Sequence, residues 1–397
     1  MSILSDRINA LAESETIAMS QRSRDLKAKG HDVINLSLGE PDFNTPENIK
    51  DAAIQAVRDN YSHYTPVPGL VEVREAIVEK LKRDNGLKYS KDQIVVSTGA
   101  KQSLMNVVLC LINPGDKVLI AAPYWVSYEA MVGYAEGEIH TVTAGVDQNF
   151  KLTPAQLEAA LSDDTKLFMF SSPSNPTGGA YSEAELRALG EVFERFPNTY
   201  IISDEIYEHI RFEGKHFSLA QIPSLHNRVI VVNGVSKSFA MTGWRIGYIA
   251  ANETIAKACT KMQGQFTSGA SAISQMATRE AMQTDPADLK AMVAEFAKRR
   301  EIMIEGLSKV PGFVCNKPEG AFYLFPKVSD LFGKKVNGSV IENASDLCMY
   351  LINEAHVATV PGSAFGADEY IRLSYAASEH ELKTALSRIH QAIEQLR

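Results

Sequence analysis

Residues 229–250, VIVVNGVSKSFAMTGWRIGYIA, set the architecture. Their two ends, VIVVN and IGYIA, are short β-branched and apolar runs, as strands buried on both faces require. Between them Lys237 sits between two small hydroxyl residues, ahead of a glycine-punctuated stretch. Lys and Arg together number 40, and most lysines simply stay in water. A role for Lys237 therefore needs partners elsewhere in the chain.

Similar runs recur upstream: QIVVS (93–97), KVLIAA (117–122), KLFMFS (166–171) and TYIIS (199–203). Most are separated by stretches of helical periodicity, such as SEAELRALGEVFERF (182–196). The alternation predicts an α/β fold with a mainly parallel sheet covered by helices on both faces. After about residue 285 the character changes to long charged helices, two short strands (GAFYLFP and YIRLSYA) and a terminal amphipathic helix. A smaller α+β domain is expected there. The charges of AEFAKRREIMIEG (294–306) read as a solvated helix face.

The bulk composition narrows the classes. With 397 residues, 45% apolar and 22% charged, the chain is long enough for two packed cores and is not disordered. A net charge of −8 and the lack of a basic block argue against nucleic acid. The first twenty residues read as an amphipathic helix, and LMNVVLCLI (104–112) suits a buried helix better than a membrane span. Cys110, Cys259, Cys315 and Cys348 show no metal or redox spacing, which predicts buried thiols in a reducing, cytoplasmic setting. The nine histidines lack paired ligand spacing, so no catalytic metal is expected. Phosphate-loop and serine-elbow patterns are also absent.

In an open parallel sheet, ligands bind beyond the carboxyl ends of the strands. Past QIVVS, Gly99 and Ala100 open a helix whose first amides make a phosphate seat; an ordinary strand-to-helix turn has the same pattern. Past KVLIAA stands Trp125, able to cap a flat ring or to fill a core. Past KLFMFS comes Asn175 in SPSNPTGG, and past TYIIS come Asp204 and Tyr207. A carboxylate at the end of a buried strand is costly unless a cation meets it. Past VIVVN come Ser236, Lys237 and, eight residues beyond the lysine, Arg245. Each signal is weak alone, but together they are complementary parts of one ligand.

That ligand looks like pyridoxal 5′-phosphate. Its aldehyde needs a lysine amine, its ring nitrogen a carboxylate, and its phosphate N–H groups with an arginine fork. SPSNPTG, SDEIYE, SKSFAMTGWRIGY and YIRLSYA, in this order, resemble the class I aminotransferases of fold type I, and the similarity runs over essentially the whole chain. The resemblance implies a seven-stranded type of sheet in a large domain over residues 46–284. It also implies a discontinuous small domain from residues 1–45 and 285–397.

Carried over position by position, the resemblance implies that Lys237 forms the Schiff base and acts as general base, while Asp204 pairs with the ring nitrogen. Tyr207 and Asn175 would bond the ring's phenolic oxygen, and Trp125 would stack on the ring. Gly99, Ala100, Lys101, Ser236 and Arg245 would surround the phosphate. Tyr64 would reach the phosphate of a neighbouring subunit, which implies a homodimer with shared sites. Arg372 would grip the substrate α-carboxylate, with Gly39, Asn175 and Trp125 completing that pocket. Many relatives carry a serine where this chain has Gly234, so that phosphate contact is in doubt.

On residues alone, Lys101 serves either the phosphate or a distal substrate carboxylate. Thr16 and Lys101 resemble positions of the bacterial subgroup that accepts aspartate and prephenate. The expected reaction is therefore ping-pong transfer between aspartate and 2-oxoglutarate, with prephenate as a further acceptor. The alternatives are an aromatic or neutral aminotransferase, a lyase or synthase on the same fold, and a cofactor-sensing transcription regulator.

Overall fold

The computed structural model describes residues 3–11, 13–336 and 338–397. Seven strands form the central sheet: β1 (Ile94–Ser97), β2 (Lys117–Ala122), β3 (Glu138–Thr143), β4 (Thr165–Ser171), β5 (Tyr200–Asp204), β6 (Val229–Gly234) and β7 (Gly247–Ala250). Their order is β1-β7-β6-β5-β4-β2-β3. Only β7 runs antiparallel to its neighbours. The carboxyl ends of β1, β2, β4, β5 and β6 therefore share one edge.

The strands lack an apolar–polar alternation because both faces are covered. In β1, Ile94 and Val96 enter one core while Val95 enters another. In β6, Val229 and Val231 divide from Ile230 and Val232 in the same way. Period-two geometry thus sends a continuous apolar run into two cores. Strand β3 falls outside the runs read from sequence. It is the edge strand, EIHTVT, and no position in it is fully buried.

Six helices frame the site: α1 (Glu15–Ala28), α2 (Val71–Asn85), α3 (Ala100–Leu111), α4 (Ser127–Tyr134), α5 (Lys290–Leu307) and α6 (Glu379–Ile393). The helix expected across LMNVVLCLI is α3, which buries Leu104, Val107 and Val108. Helix α6 starts at a capping box in which Ser378 accepts from the Glu381 amide and the Glu381 side chain accepts from the Ser378 amide.

A further core joins both ends of the chain. Met19, Ile34 and Leu36 pack with Phe296, Leu351, Leu373 and Ile389, and Ile34–Asn35 pairs in parallel with Val357–Ala358. A three-stranded antiparallel sheet completes it, formed by β8 (Tyr323–Leu324), β9 (Val360–Pro361) and β10 (Ile371–Ser374) in the order β9-β10-β8. This core reaches Ile206, Tyr207 and Ile210, just beyond β5.

Two expectations are corrected. Among the described residues of the first twenty there is not one amphipathic helix: a short helix at Asp6–Asn9 buries nothing, residues 11, 13 and 14 are not helical, and Ile17 in α1 stays exposed; residues 1, 2 and 12 lie outside the described residues. The charges of AEFAKRREIMIEG are not a solvated face throughout. Arg299 and Arg300 are buried, the former paired with Asp42 at 2.6 Å and the latter donating to the Pro318 carbonyl at 2.7 Å. Each arginine ties α5 to a loop from elsewhere in the chain. The four cysteines are unpaired, with Cys259 and Cys348 buried and Cys110 and Cys315 half-buried. Among the described residues, no helix is long and apolar enough to cross a membrane.

Candidate active site

The shared strand edge opens into a cleft of about 260 Å³. Segments leaving five strands line it, together with Thr16, Gly39 and Arg372 from the core at the chain ends. Sequence-selected residues brought together there are Ala100, Lys101, Trp125, Asn175, Asp204, Tyr207, Ser236, Lys237 and Arg245. Gly99 stands just behind the wall as the N-cap of α3. Its φ of +82° suits glycine, and a Cβ there would collide with the Arg245 guanidinium.

Lys237 is the centre of the arrangement. Its Nζ donates to the Gly39 carbonyl at 2.6 Å. Burial pushes its pKa down to about 8; Glu40 and Asp204 oppose the shift, while Arg372 and Arg245 add to it. A sizeable neutral fraction near neutral pH follows.

Asp204, the last residue of β5, is buried and faces the same cleft. Tyr128 of α4 donates to its Oδ2 at 2.8 Å, and the Ile206 amide donates to Oδ1 at 3.3 Å. Burial nevertheless raises its pKa to about 6, because no cation lies within ion-pair distance among the described residues. The expected cost of a buried carboxylate is thus present: the Lys237 charge opposes it only in part, and no described cation pairs with the carboxylate directly.

Arg372 of β10 is buried between the Tyr323 and Phe365 rings, 4.7 and 4.9 Å from their centroids. Its Nη1 donates to Asn175 Oδ1 at 2.9 Å and its Nη2 to the Ser37 carbonyl at 2.6 Å. Its Nε is buried with no partner. An unpaired donor on a buried guanidinium is expensive, and Arg372 itself lines the cleft, where its charge suits an external carboxylate.

Cations also gather at the other wall. Lys101 lies 5.0 Å over the Trp125 ring, and its pKa is lowered by desolvation and by the nearby Arg245 charge. The first amides of α3 lack intrahelical acceptors and add a positive dipole end. Two repelling cations beside a helix start suit a phosphate, a buried carboxylate without an ion-pair partner suits a protonated ring nitrogen, and a buried guanidinium at the cleft wall suits a carboxylate. The donor set fits pyridoxal 5′-phosphate bearing an amino acid.

Other placements are equally definite. Tyr207 bonds Tyr323, hydroxyl to hydroxyl, at 2.8 Å. Thr16 lines the cleft, and its Oγ1 is buried without a partner. Tyr64 lies outside the cleft, fully exposed. Sequence reasoning missed Tyr128 and Tyr323, which orient Asp204 and Tyr207, because neither lies in a strand-end segment beside its partner.

The Gly234 departure has a steric reason. Gly234 pairs with Gly247 across β6 and β7, and a Cβ at 234 would come within 2.8 Å of the Ile246 carbonyl oxygen. A Cβ at 247 would overlap the Ala100 amide at the start of α3. Gly247→Ala is therefore expected to cost about 2–3 kcal/mol, read by denaturant unfolding, and to weaken phosphate binding. Unchanged stability would show that α3 is free to back away.

A buried lysine and carboxylate at the carboxyl edge of a doubly wound sheet, ringed by further cations, define an enzyme acting on a bound, multiply charged small molecule. The chain belongs to the class I and II aminotransferase family, whose model matches residues 31–389. A probable aspartate/prephenate aminotransferase of Rickettsia felis is 46% identical over 395 residues, 99% of this chain and 97% of that one. The crystal structure of an aspartate aminotransferase from Rhizobium meliloti matches with a TM-score of 0.96 at 43% identity, covering all of both chains. That of Thermus thermophilus aspartate aminotransferase with maleate matches with a TM-score of 0.91 at 37% identity, covering 99% of this chain and 100% of that one.

Proposed function

We propose that the enzyme transfers the amino group between L-aspartate and 2-oxoglutarate by a ping-pong route with pyridoxal 5′-phosphate, and that prephenate is a further acceptor. The observation carrying this reading is the convergence of Lys237, Asp204 and Arg372 on one cleft. The names of the relatives and the dicarboxylate maleate in one of them support the choice of substrate.

When bound, the cofactor supplies an aldehyde that captures amines and a ring that withdraws electrons from the breaking bond. Lys101, Arg245 and the Ala100 amide would hold its phosphate, with Ser236 beside them; the Gly99 amide is occupied, donating to the Ser97 carbonyl at 2.8 Å. Asp204 keeps the proton on the ring nitrogen, and its own charge is stabilised in return. Tyr207 and the Asn175 amide bond the phenolic oxygen, while Trp125 covers the ring face. Arg372 orients the substrate α-carboxylate alongside Asn175 and the Gly39 backbone. Lys237 Nζ would attach the cofactor and, once freed by substrate, would be the base placed to take the proton from the substrate Cα.

Full exposure of Tyr64 supports a homodimer in which this phenol reaches the phosphate of a second copy. Unpaired cysteines suit a cytoplasmic enzyme. Thr16 Oγ1, buried and unpartnered, joins Lys101 as the reader of the distal carboxylate. Lys101→Ala is expected to lower kcat/KM for aspartate about tenfold or more relative to neutral amino acids. An equal loss for all donors, with weaker cofactor binding, would assign Lys101 to the phosphate alone.

The function is tested by mixing the cofactor-loaded protein with single amino acids and recording the visible spectrum. Aspartate and glutamate should convert the lysine-bound form with release of their 2-oxo acids. Release of ammonia and pyruvate from one substrate would instead indicate a lyase.

A further inference from the structure

Outside the cleft, α2 buries Lys80, which is 1% exposed. Its ammonium donates to the Glu208 carboxylate and to Asn85 Oδ1 at 2.8 Å, and lies 3.7 Å from Asp84. Burial alone would raise the Glu208 pKa, but the Lys80 charge, with His209 and His216 beside it, holds that carboxyl well below its usual range. A buried ion pair of this kind contributes little net stability over apolar packing, so its presence calls for another explanation.

The contacts leading out from Lys80 end on the loop that carries Lys237. On one branch, Glu208 Oε1 accepts from Asn233 Nδ2 at 2.7 Å, and Asn233 Oδ1 accepts from the Gly234 amide at 2.7 Å. On the other, Asp84 Oδ2 lies 3.4 Å from His209 Nε2, and His209 Nδ1 lies 3.2 Å from Ser238 Oγ. Gly234 stands three residues before Lys237 and Ser238 directly after it. All of Lys80, Glu208, Asn233, Gly234 and Ser238 are buried.

We propose that Lys80 is a positioning residue: through Glu208–Asn233 and Asp84–His209–Ser238 it pins residues 234–238 at both ends and so holds the Lys237 amine in register with the reacting atoms. Past β6 the backbone makes only turn contacts of 3.2–3.4 Å, such as Val235 N to the Ile246 carbonyl and Met241 N to the Ser236 carbonyl, so the side-chain ties add to what holds the loop in place. This inference rests on reading Lys237 as the reacting amine; the hydrogen-exchange arm of its test does not.

Two variants separate positioning from folding. Ser238→Ala cuts one branch without orphaning a charge, and Lys80→Met/Glu208→Gln removes both charges together. Amide hydrogen exchange is read on the cofactor-free protein, and kcat and KM on the loaded enzyme. Ser238→Ala should speed exchange at residues 235–241 about tenfold while β5 and β6 stay protected. It should also lower kcat about tenfold with KM within about twofold, and Ser238→Thr should restore both. The double variant should show the larger effect. Unchanged protection of the loop, acceleration spread evenly over β5, β6 and β7, or faster exchange with unaltered kcat would each overturn the proposal. Covalent cofactor attachment elsewhere than Lys237 would remove the proposed function and leave the exchange result standing.

Discussion

Lys237→Ala should reduce transamination by at least about 10⁴-fold and remove the visible band of lysine-bound cofactor, while leaving the protein folded. The size follows from two losses at one atom. Nζ is the only described lysine amine lining the cleft beside Asp204 besides Lys101, which lies over Trp125. It is both the group that attaches the cofactor and the base that moves the proton. Burial that holds its pKa at about 8 makes it a better base near neutrality than an ordinary lysine; Lys101, the other lysine in the cleft, is turned over the Trp125 ring. Retention of the band and of turnover in the variant would place the chemistry on another side chain.

The second large effect concerns Asp204. Asp204→Asn should slow proton abstraction about 10³-fold while leaving the cofactor attached, because the amide cannot hold a positive charge on the ring nitrogen. The cofactor-free protein adds an independent readout. The folded-state pKa of Asp204 is raised to about 6, whereas an unfolded aspartate titrates near 4. Between those values the native state binds more protons than the unfolded state, so this residue lowers stability as pH rises from about 4 to 6. The penalty amounts to about 3 kcal/mol and is fully present above pH 6. Asp204→Asn should flatten that slope in denaturant titrations. An unchanged slope and an unchanged rate would exclude the proposed pairing.

Much of the sheet was legible because both its faces are buried. VIVVN, KVLIAA and KLFMFS are near-continuous apolar runs, and each lies on a strand. The strand EIHTVT at one edge was not legible: with no fully buried position it carries no such run, whereas the opposite edge strand, IVVS, is buried throughout and was. Strand ends also pointed to the cleft, since the topology brings whatever follows them to one edge. Thr16 and Arg372 come from the core at the chain ends, so only the family resemblance indicated them.

The supporting residues were hidden for a different reason. Tyr128 holds Asp204 from 76 positions away and Tyr323 holds Tyr207 from 116, and a lone tyrosine in an apolar stretch looks like core. Arg299 and Arg300 show the converse, since a charged helix stretch that resembles a solvated face is in part a buried fastening. Lys80 and Glu208 belong to the same class: ordinary charges in sequence, a buried, networked pair in space. Pairing of distant charges is a property of the tertiary fold and leaves no local periodicity to read.

The most direct measurement is borohydride reduction of the cofactor-loaded protein followed by proteolysis and mass mapping. A stable cofactor adduct on the peptide containing Lys237, and on that side chain alone, is the predicted result. An adduct on any other residue, or none, would contradict the account at its base.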